Sequence, residues 1–330
     1  MLKSRISGEL PSRLPINSDK TDRWKADVAL SVDRYNKWFM RFAPSTYRTA
    51  RVKATKQVEL ALQATSNLQV VSPAVLRKDP SILPILRMST APPIARDRLI
   101  GLAQVQPHLV TSMEKDERLP KRQEGMDEGL TKIGNLIHEL ADKDIFPWLE
   151  TGRTPDKAEV FRASTIVADR LCGAASDPII RNSQEQRQLE LITDWLVKKG
   201  YQLSKAGQGL KFHQMKPGTF AIHLNIPVVL KNQQRVNIPV DVAIKPKSSK
   251  EGDMPLMIEA KSAGDFTNTN KRRKEEATKM AQLRENYGPG VRFFLFLCGY
   301  FDTGYLGYEA AEGIDWIWEH RIEDMAMLGV

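Results

Sequence analysis

Three residues within the stretch 237–273 have the types and the spacing needed to hydrolyse a phosphodiester bond. Asp241 lies in one apolar run, and Glu259 and Lys261 lie two residues apart in the next. Carboxylate oxygens are hard ligands that suit Mg²⁺, which keeps several waters and also binds substrate phosphate. Such a metal polarises the phosphate and lowers the pKa of a water, and a nearby lysine can orient that water, help to deprotonate it or offset developing charge. The stretch is therefore predicted to form a metal-dependent nuclease centre.

Two β-strands are predicted to position these residues. Every even position of residues 236–244 is apolar, which predicts one buried face with Asp241 on the opposite face. In the next run the alternating apolar positions send Glu259 and Lys261 to a shared face. The polar turn at residues 249–253 favours an antiparallel hairpin, so the three side chains can converge. We expect Asp241, Glu259 and the backbone carbonyl of Ala260 to bind the metal, and Lys261 to act on the nucleophile.

The acid-x-lysine triplet is short, and about one is expected by chance in a chain of this size. In this sequence it occurs once, within a strand pattern behind a suitably placed aspartate. A literal Pro155-Asp156 pair exists, but it opens a predicted helix far upstream. The alternative interpretation is a surface hairpin with an exposed glutamate and lysine.

A fourth carboxylate, Glu185, belongs to a predicted helix at residues 183–199. Leu189, Ile192 and Leu196 define its inward face, and one turn back Glu185 falls on that face, whereas Glu190 does not. An unpaired buried carboxylate is costly. Glu185 is therefore expected either to reach the metal site or to pair with a base, and the sequence leaves both open.

A basic cluster follows the strand pair. Lys271, Arg272, Arg273 and Lys274 are predicted to open a helix at residues 270–287, where the helix macrodipole disfavours cations. DNA phosphates beside a cleavage site would offset that charge. The nearby amides predicted to contact phosphate or adenine edges are Asn268 and Asn270.

Further arginines are predicted to contact DNA from the N-terminal half. Arg48 and Arg51 lie in the stretch 35–57, which contains no acidic residue, and Arg87 and Arg96 lie on a predicted loop at residues 87–98. A solvated helix face and an ordinary arginine-rich turn are the alternative interpretations.

The composition bounds the class of protein. The chain has 330 residues, 41% hydrophobic and 27% charged, which argues against global disorder. A net charge of +9 favours an anionic partner such as nucleic acid. Both cysteines fall in apolar patterns, and neither a signal peptide nor a membrane-spanning run is evident, so a reducing cytoplasm is expected. The five histidines have no ligand spacing, so none is predicted to bind metal.

The predicted organisation has three parts. Residues 1–20 form a flexible lead-in, residues 21–176 a mainly helical region for DNA recognition or dimerisation, and residues 177–330 an α/β (α+β) core of a mixed sheet flanked by helices. The first helix is expected to end at Pro44, and separate helices are expected at residues 56–65, 156–172 and 183–199. The predicted strands lie at residues 219–230, 235–244, 256–261, 292–298 and 315–319.

At Asp241 and Glu259-Ala260-Lys261 the sequence resembles the PD-(D/E)xK nuclease superfamily, with Val240 where that family usually has proline. More of the chain resembles the XamI-type type II restriction endonucleases. This likeness extends over residues 23–48, 82–103, 177–201 and 258–279, that is, over RWKADVALSVDRYNKWFMRFAPSTYR, ILPILRMSTAPPIARDRLIGLA, DPIIRNSQEQRQLELITDWLVKKGY and IEAKSAGDFTNTNKRRKEEATK.

The resemblance implies an Mg²⁺-dependent enzyme, in which Mn²⁺ can substitute, that cuts double-stranded DNA at a short palindromic sequence and leaves 5′-phosphate ends. It implies that Asp241 and Glu259 are metal ligands, Lys261 the catalytic lysine and Glu185 the helix acid found in some members. A palindromic target favours a homodimer. A cognate DNA methyltransferase is expected in the same host, without a stable complex.

Two other functions compete with this one. A repair or recombination nuclease of the same fold would recognise DNA structure rather than sequence. A non-catalytic DNA-binding protein would use the basic N-terminal surface, with salt-dependent affinity and no cleavage product.

Overall fold

The computed structural model describes residues 15–121, 124–204, 210–250 and 252–330, apart from the side chains of residue 268 and residues 270–273. Most of the predicted lead-in lies outside these residues. The α-helices are α1 Thr21–Ala64, α2 Pro73–Lys78, α3 Leu83–Met88, α4 Arg96–Ala103, α5 Pro107–Lys115, α6 Met126–Leu140, α7 Trp148–Thr151, α8 Lys157–Lys198, α9 Phe266–Tyr287 and α10 Thr303–Ala311. The strands are β1 Gln202–Leu203, β2 Thr219–Val229, β3 Arg235–Lys245, β4 Leu256–Ala263, β5 Phe293–Gly299 and β6 Asp315–Trp318. Short 3₁₀ helices cover Pro80–Ile82, Phe212–Gln214 and Glu319–Leu328.

The chain forms two compact units. One comprises Phe42–Ile180, and the other comprises Met1–Arg41 with Arg181–Val330, of which the structure describes residues from 15 onwards. The unit Phe42–Ile180 is helical, around a core that includes Leu76, Leu83 and Trp148. The predicted helical N-terminal region is thus confirmed, while residues 21–41 belong to the same compact unit as the sheet.

Two long helices replace the shorter helices that the sequence predicted. The prediction that the first helix ends at Pro44 is wrong, since α1 continues through this proline to Ala64. A proline inside a helix costs about 3 kcal/mol through a lost hydrogen bond and a ring clash. Buried side chains before and after Pro44, such as Tyr35 and Val58, offset that cost by packing. Likewise, α8 continues through Pro178 and joins two helices predicted to be separate.

The second unit contains a six-stranded mixed sheet in the order β1-β2-β3-β4-β5-β6. Strands β2, β3 and β4 are antiparallel neighbours, and β4, β5 and β6 are parallel. Parallel neighbours need a crossover, which α9 and α10 supply. The α/β class and the five predicted strands are confirmed, whereas β1 and α10 were not predicted.

Each face of the sheet packs on a different hydrophobic core. Met280 and Leu283 of α9 pack on one face, with Leu306 of α10. On the other face the core includes Leu189, Ile192 and Leu196 of α8, as their helical spacing predicted. The residues at the middle of the sheet are therefore covered by helices on both sides.

The prediction that the even positions of β3 share one face is wrong. Ile238 and Val240 pack in the core beneath α9, whereas Val242 and Ile244 pack in the core beneath α8. The change occurs at Asp241, beside His223 of β2, whose φ of 53° is left-handed rather than extended. A residue outside the extended conformation disturbs the two-residue alternation of its own strand, and the paired strand β3 changes its buried face at the same level.

Both cysteines, Cys172 and Cys298, are free and buried, as predicted. Over the part of the chain that the structure describes, no helix combines the length and the apolar character required to cross a membrane.

Candidate active site

The site begins where β3 and β4 separate. Their register pairs end at Val242 with Ile258, and β4 continues to Ala263 as a partner of β5 alone. At this separation the Ala260 amide donates a 2.7 Å hydrogen bond to Oδ2 of Asp241. A side-chain carboxylate thus takes the place of a strand partner, and Asp241 is held next to the acid-x-lysine motif.

Glu259 and Lys261 face the α9 side of the sheet, as the alternation of β4 predicted. Oε1 of Glu259 lies 3.1 Å from Nζ of Lys261 and 2.5 Å from Nζ of Lys279 on α9. Nζ of Lys261 also lies 2.9 Å from Oε1 of Glu276, one helical turn before Lys279. The motif is therefore part of a charge network completed by α9, and the alternative of an exposed surface hairpin is excluded by the 5% exposure of Glu259.

The charge of Lys261 is strongly stabilised. Burial acts to lower the pKa of its ammonium group, but the charges of Glu259 and Glu276 outweigh burial and raise the pKa above its usual value. A lysine that holds its proton this firmly is a poor base. The network supports the stabilisation of negative charge by Lys261 rather than proton removal.

A further buried carboxylate lies behind this network. Glu309 of α10 is fully buried, and burial, followed by the charge of Glu276, raises its pKa to about 8, while Tyr305 opposes the shift. At neutral pH Glu309 is therefore protonated.

A second group of possible ligands meets at Asp241. Ligand atoms of Glu185, His223 and Asp241 all lie within 4.8 Å of one another, and Nε2 of His223 is 4.0 Å from Oε1 of Glu185. Glu185 is about half exposed, with 48% of its side chain accessible, so it is not the buried acid that helical phase predicted. It nevertheless lies beside Asp241, because α8 carries it past the edge of the packed core.

Comparison with known proteins gives the family. The sequence model of the XamI restriction endonuclease family matches residues 66–318. The chain is 51% identical over 316 residues to the type II restriction enzyme SalI of Streptomyces albus G, which covers 95% of this chain and 99% of that enzyme. This chain belongs to the XamI restriction endonuclease family.

It is therefore a type II restriction endonuclease that cleaves DNA, and the first of the three functions considered for the sequence is confirmed. A solved structure, protein VC1899 from Vibrio cholerae, aligns with a TM-score of 0.25 and 12% identity over 82% of this chain and 54% of that one. That score is too low to bear on the fold.

The donor set of this XamI-family endonuclease fits a hard divalent cation. Oε2 of Glu259 is buried and accepts no hydrogen bond from the described residues, so this oxygen is available to a metal ion. Burial, followed by the charge of the nearby Glu259, raises the pKa of Asp241. Two neighbouring carboxylates offer the hard oxygen ligands that such a cation prefers.

Four residues at the site were not predicted from the sequence. His223, for which the sequence predicted no ligand role, lies across β2 and β3 from Asp241 in a group of residues that could hold a metal ion. Glu276 and Lys279 were missed because no regular spacing in the sequence marks a contact between a strand and a later helix. Gln188, whose Nε2 lies within hydrogen-bonding distance of the carbonyl oxygens of Lys261 and Phe296, braces β4 and β5 from α8.

The predicted DNA contacts of α9 need one correction. Lys271 does not open a helix, since α9 begins five residues earlier at Phe266. The basic cluster therefore lies beyond the first turn of α9, where the macrodipole has little effect on cations. Lys274 is exposed. The remaining predicted contacts on this helix lie outside the described side chains: Asn268, Asn270, Lys271, Arg272 and Arg273.

The four arginines predicted to bind DNA lie in the helical unit and differ in their exposure and in their ion pairs. Arg48 is exposed, and Arg51 is half exposed with Nη2 3.1 Å from Asp169. Nε of Arg96 is 3.6 Å from its neighbour Asp97. The side chain of Arg87 is 12% exposed.

Arg87 forms a 2.5 Å ion pair with Glu114 and donates to the Ile94 carbonyl, so its guanidinium is already engaged within the helical unit.

Metal binding is expected to release a proton near pH 6. Burial and the charge of Glu259 raise the pKa of Asp241 to about 6, and the Ala260 amide only partly opposes them. A cation at this carboxylate must displace the proton below that pH, so binding at pH 6 should release about half a proton from Asp241 and binding at pH 7.5 almost none. Calorimetric titration with Mn²⁺ in two buffers of different ionisation enthalpy measures this number. Equal release at both pH values, or the same release from Asp241→Asn, would contradict it.

Glu309 is expected to make stability fall as the pH rises. Its carboxyl ionises near 4.5 in the unfolded chain but near 8 in the folded protein. Between these values the folded state binds more protons, so stability declines by about 1.4 kcal/mol per pH unit and levels off above pH 8. The free energy of unfolding of Glu309→Gln, measured with denaturant, should thus rise relative to that of the wild type by about 2 to 4 kcal/mol as the pH goes from 5 to 8.5. The exposed Glu285→Gln is the control, and a gain independent of pH would refute the assignment.

Proposed function

We propose that Asp241, Glu259 and Lys261 form the catalytic centre and that it hydrolyses phosphodiester bonds of double-stranded DNA with Mg²⁺, leaving 5′-phosphate ends. Mn²⁺ is expected to substitute. The observation that carries this proposal is the convergence of an Asp241 carboxylate held on the Ala260 amide, an orphaned Glu259 oxygen and a firmly charged Lys261 at one strand separation.

Each residue has a distinct role in this proposal. Asp241 and Glu259 would hold the metal, with the Ala260 carbonyl as a further ligand. When bound, Mg²⁺ polarises the phosphate and lowers the pKa of a water. Lys261 offsets the negative charge that develops on the phosphate and orients the nucleophile. Its raised pKa supports this electrostatic role.

Glu185 and His223 form the solvent-exposed side of the centre. We assign Glu185 to the reaction as the helix acid that acts next to Asp241. Their proximity supports a direct role or one through an ordered water, since both side chains lie within reach of the same small volume as Asp241.

The helical unit Phe42–Ile180 is proposed to contribute to DNA recognition. Arg48 and Arg51 are accessible for phosphate contacts, and the side chain of Arg96 is partly exposed. Lys274 and the basic cluster of α9 would contact the backbone close to the cleavage site. Asn268 and Asn270 would add contacts to phosphate or to adenine. Arg87 is paired with Glu114, so it would stabilise this surface rather than extend from it towards DNA.

We further propose a homodimer that reads a short palindromic sequence, because a two-fold protein presents two equivalent surfaces to a two-fold site. The enzyme would act in the cytoplasm beside a DNA methyltransferase that protects the host sequence.

A digest of a long DNA of known sequence tests the proposal. With Mg²⁺ we expect discrete fragments, and sequencing of their ends should give one short palindrome with 5′-phosphates at every cut. EDTA should stop the reaction. A smear, ends without a common sequence or cleavage in EDTA would contradict the proposal. Sedimentation of the protein on a duplex with one site should give two chains per duplex.

A further inference from the structure

Helix α9 presents two charged residues to the acid-x-lysine motif in a crossed arrangement. Glu276 contacts Lys261 at 2.9 Å, and Lys279 contacts Glu259 at 2.5 Å. The two helix residues are three positions apart and hence lie on the same face of α9. Each charge of the motif thus has an opposite charge on the helix.

We propose that Glu276 is a positioning residue that holds the Lys261 ammonium group in place for phosphodiester hydrolysis. This inference rests on the catalytic role proposed above for Lys261. Glu276 touches neither the substrate nor the metal in this proposal, and it acts only through the lysine.

Burial makes a purely stabilising role an incomplete explanation for Glu276. Its side chain is 0% exposed, and the Lys261 side chain is 18% exposed. Replacement of a buried ion pair by apolar residues of similar volume is often neutral or stabilising, because two charges must be desolvated to form the pair. A charged carboxylate in this position is better explained by what it does to its partner.

The sharing of Glu259 explains why a second carboxylate is needed. Oε1 of Glu259 contacts both Lys261 and Lys279. Once Glu259 serves as a metal ligand, its charge is directed to the ion and is a weaker partner for either lysine. Glu276 then remains as the anion that fixes the position of Lys261.

The neighbouring Glu309 does not take the place of Glu276 as the partner of Lys261. Its carboxyl is buried beside Glu276, and it is protonated at neutral pH. Glu309 therefore does not compete for the lysine, whose Nζ lies 2.9 Å from Oε1 of Glu276.

The test is a double-mutant cycle on single-turnover cleavage with saturating Mg²⁺ and DNA. Glu276→Gln keeps the shape of the side chain and removes its charge, and we expect the cleavage rate to fall by about 10 to 100-fold, since a displaced catalytic group loses about this much. Affinity for the DNA, measured with Ca²⁺ in place of Mg²⁺, should change less than about twofold because Glu276 touches no substrate. Glu285→Gln, an exposed acid on the same helix, is the matched control and should retain the wild-type rate.

The cycle is closed in the Lys261→Met background, where Glu276→Gln should have no further effect on the rate. An equal loss in both backgrounds, or no loss in the wild-type background, would overturn the inference. If Lys261→Met itself cleaved at the wild-type rate, the proposed catalytic centre would fail instead. Glu276→Asp keeps the charge and should recover part of the rate. If Glu276→Gln does not fold, the cycle is run with Glu276→Asp, whose shorter side chain withdraws the carboxylate from Lys261. A wild-type cleavage rate for Glu276→Asp would then overturn the inference. A loss of rate only in chains that retain Lys261 would support it.

Discussion

Glu259→Ala is expected to lower the rate of DNA cleavage by at least about 10³-fold, because it removes a proposed metal ligand from the centre of the site. The fold should survive. Lys261 keeps Glu276 as a partner, and the neighbouring strands remain packed on both faces. DNA binding should be retained or become tighter, since a negative charge leaves the vicinity of the phosphate.

The measurement is single-turnover cleavage of a duplex that carries one site, with binding followed separately in Ca²⁺. Glu190→Ala provides the control, because Glu190 is an exposed acid on α8 that lies outside the site. Cleavage by Glu259→Ala within tenfold of the wild type would show that Glu259 is not a required ligand.

Lys261→Met is expected to lower the cleavage rate by about 10² to 10³-fold while leaving metal binding intact. The reason is electrostatic: the variant lacks the cation that is proposed to offset charge developing on the phosphate. Metal affinity should hold or rise, because Glu259 loses a competing lysine from its Oε1. Some stability is also lost, since Glu276 becomes a buried charge without this partner.

The two effects are separated by measuring Mn²⁺ affinity through its spin-resonance signal alongside the cleavage rate at 15 °C. Lys279→Met serves as the comparison, because Lys279 contacts Glu259 without belonging to the motif, and its loss in rate should be less than about tenfold. If Lys261→Met lost metal affinity in proportion to its rate, the lysine would be a structural support of the metal site rather than a catalytic charge.

The sequence predicted the local geometry of the motif because β4 has a simple two-residue period. Leu256 and Ile258 pack on the α8 side, which sends Glu259 and Lys261 to the other side. The five main strands were predicted from apolar runs bounded by turn residues. Family membership was also predictable, since the likeness extends well beyond the motif.

The surroundings of the motif were less predictable because they depend on non-local packing. At Asp241 the even positions of β3 switch from one face of the sheet to the other. This switch coincides with the left-handed backbone of His223, a conformation that strand periodicity does not predict. The continuation of α1 through Pro44 and of α8 through Pro178 depends on packing that outweighs a local penalty. Glu276 joins the site only because α9 returns across the sheet.

Anomalous diffraction from crystals grown with Mn²⁺ tests the proposed centre most directly. The proposal predicts an ion within about 2.5 Å of a carboxylate oxygen of both Asp241 and Glu259. Lys279 should then no longer contact the bound oxygen of Glu259, while Lys261 should remain on Glu276. An ion held only by Glu185 and His223, with Glu259 still paired to its two lysines, would contradict the assignment of the catalytic centre.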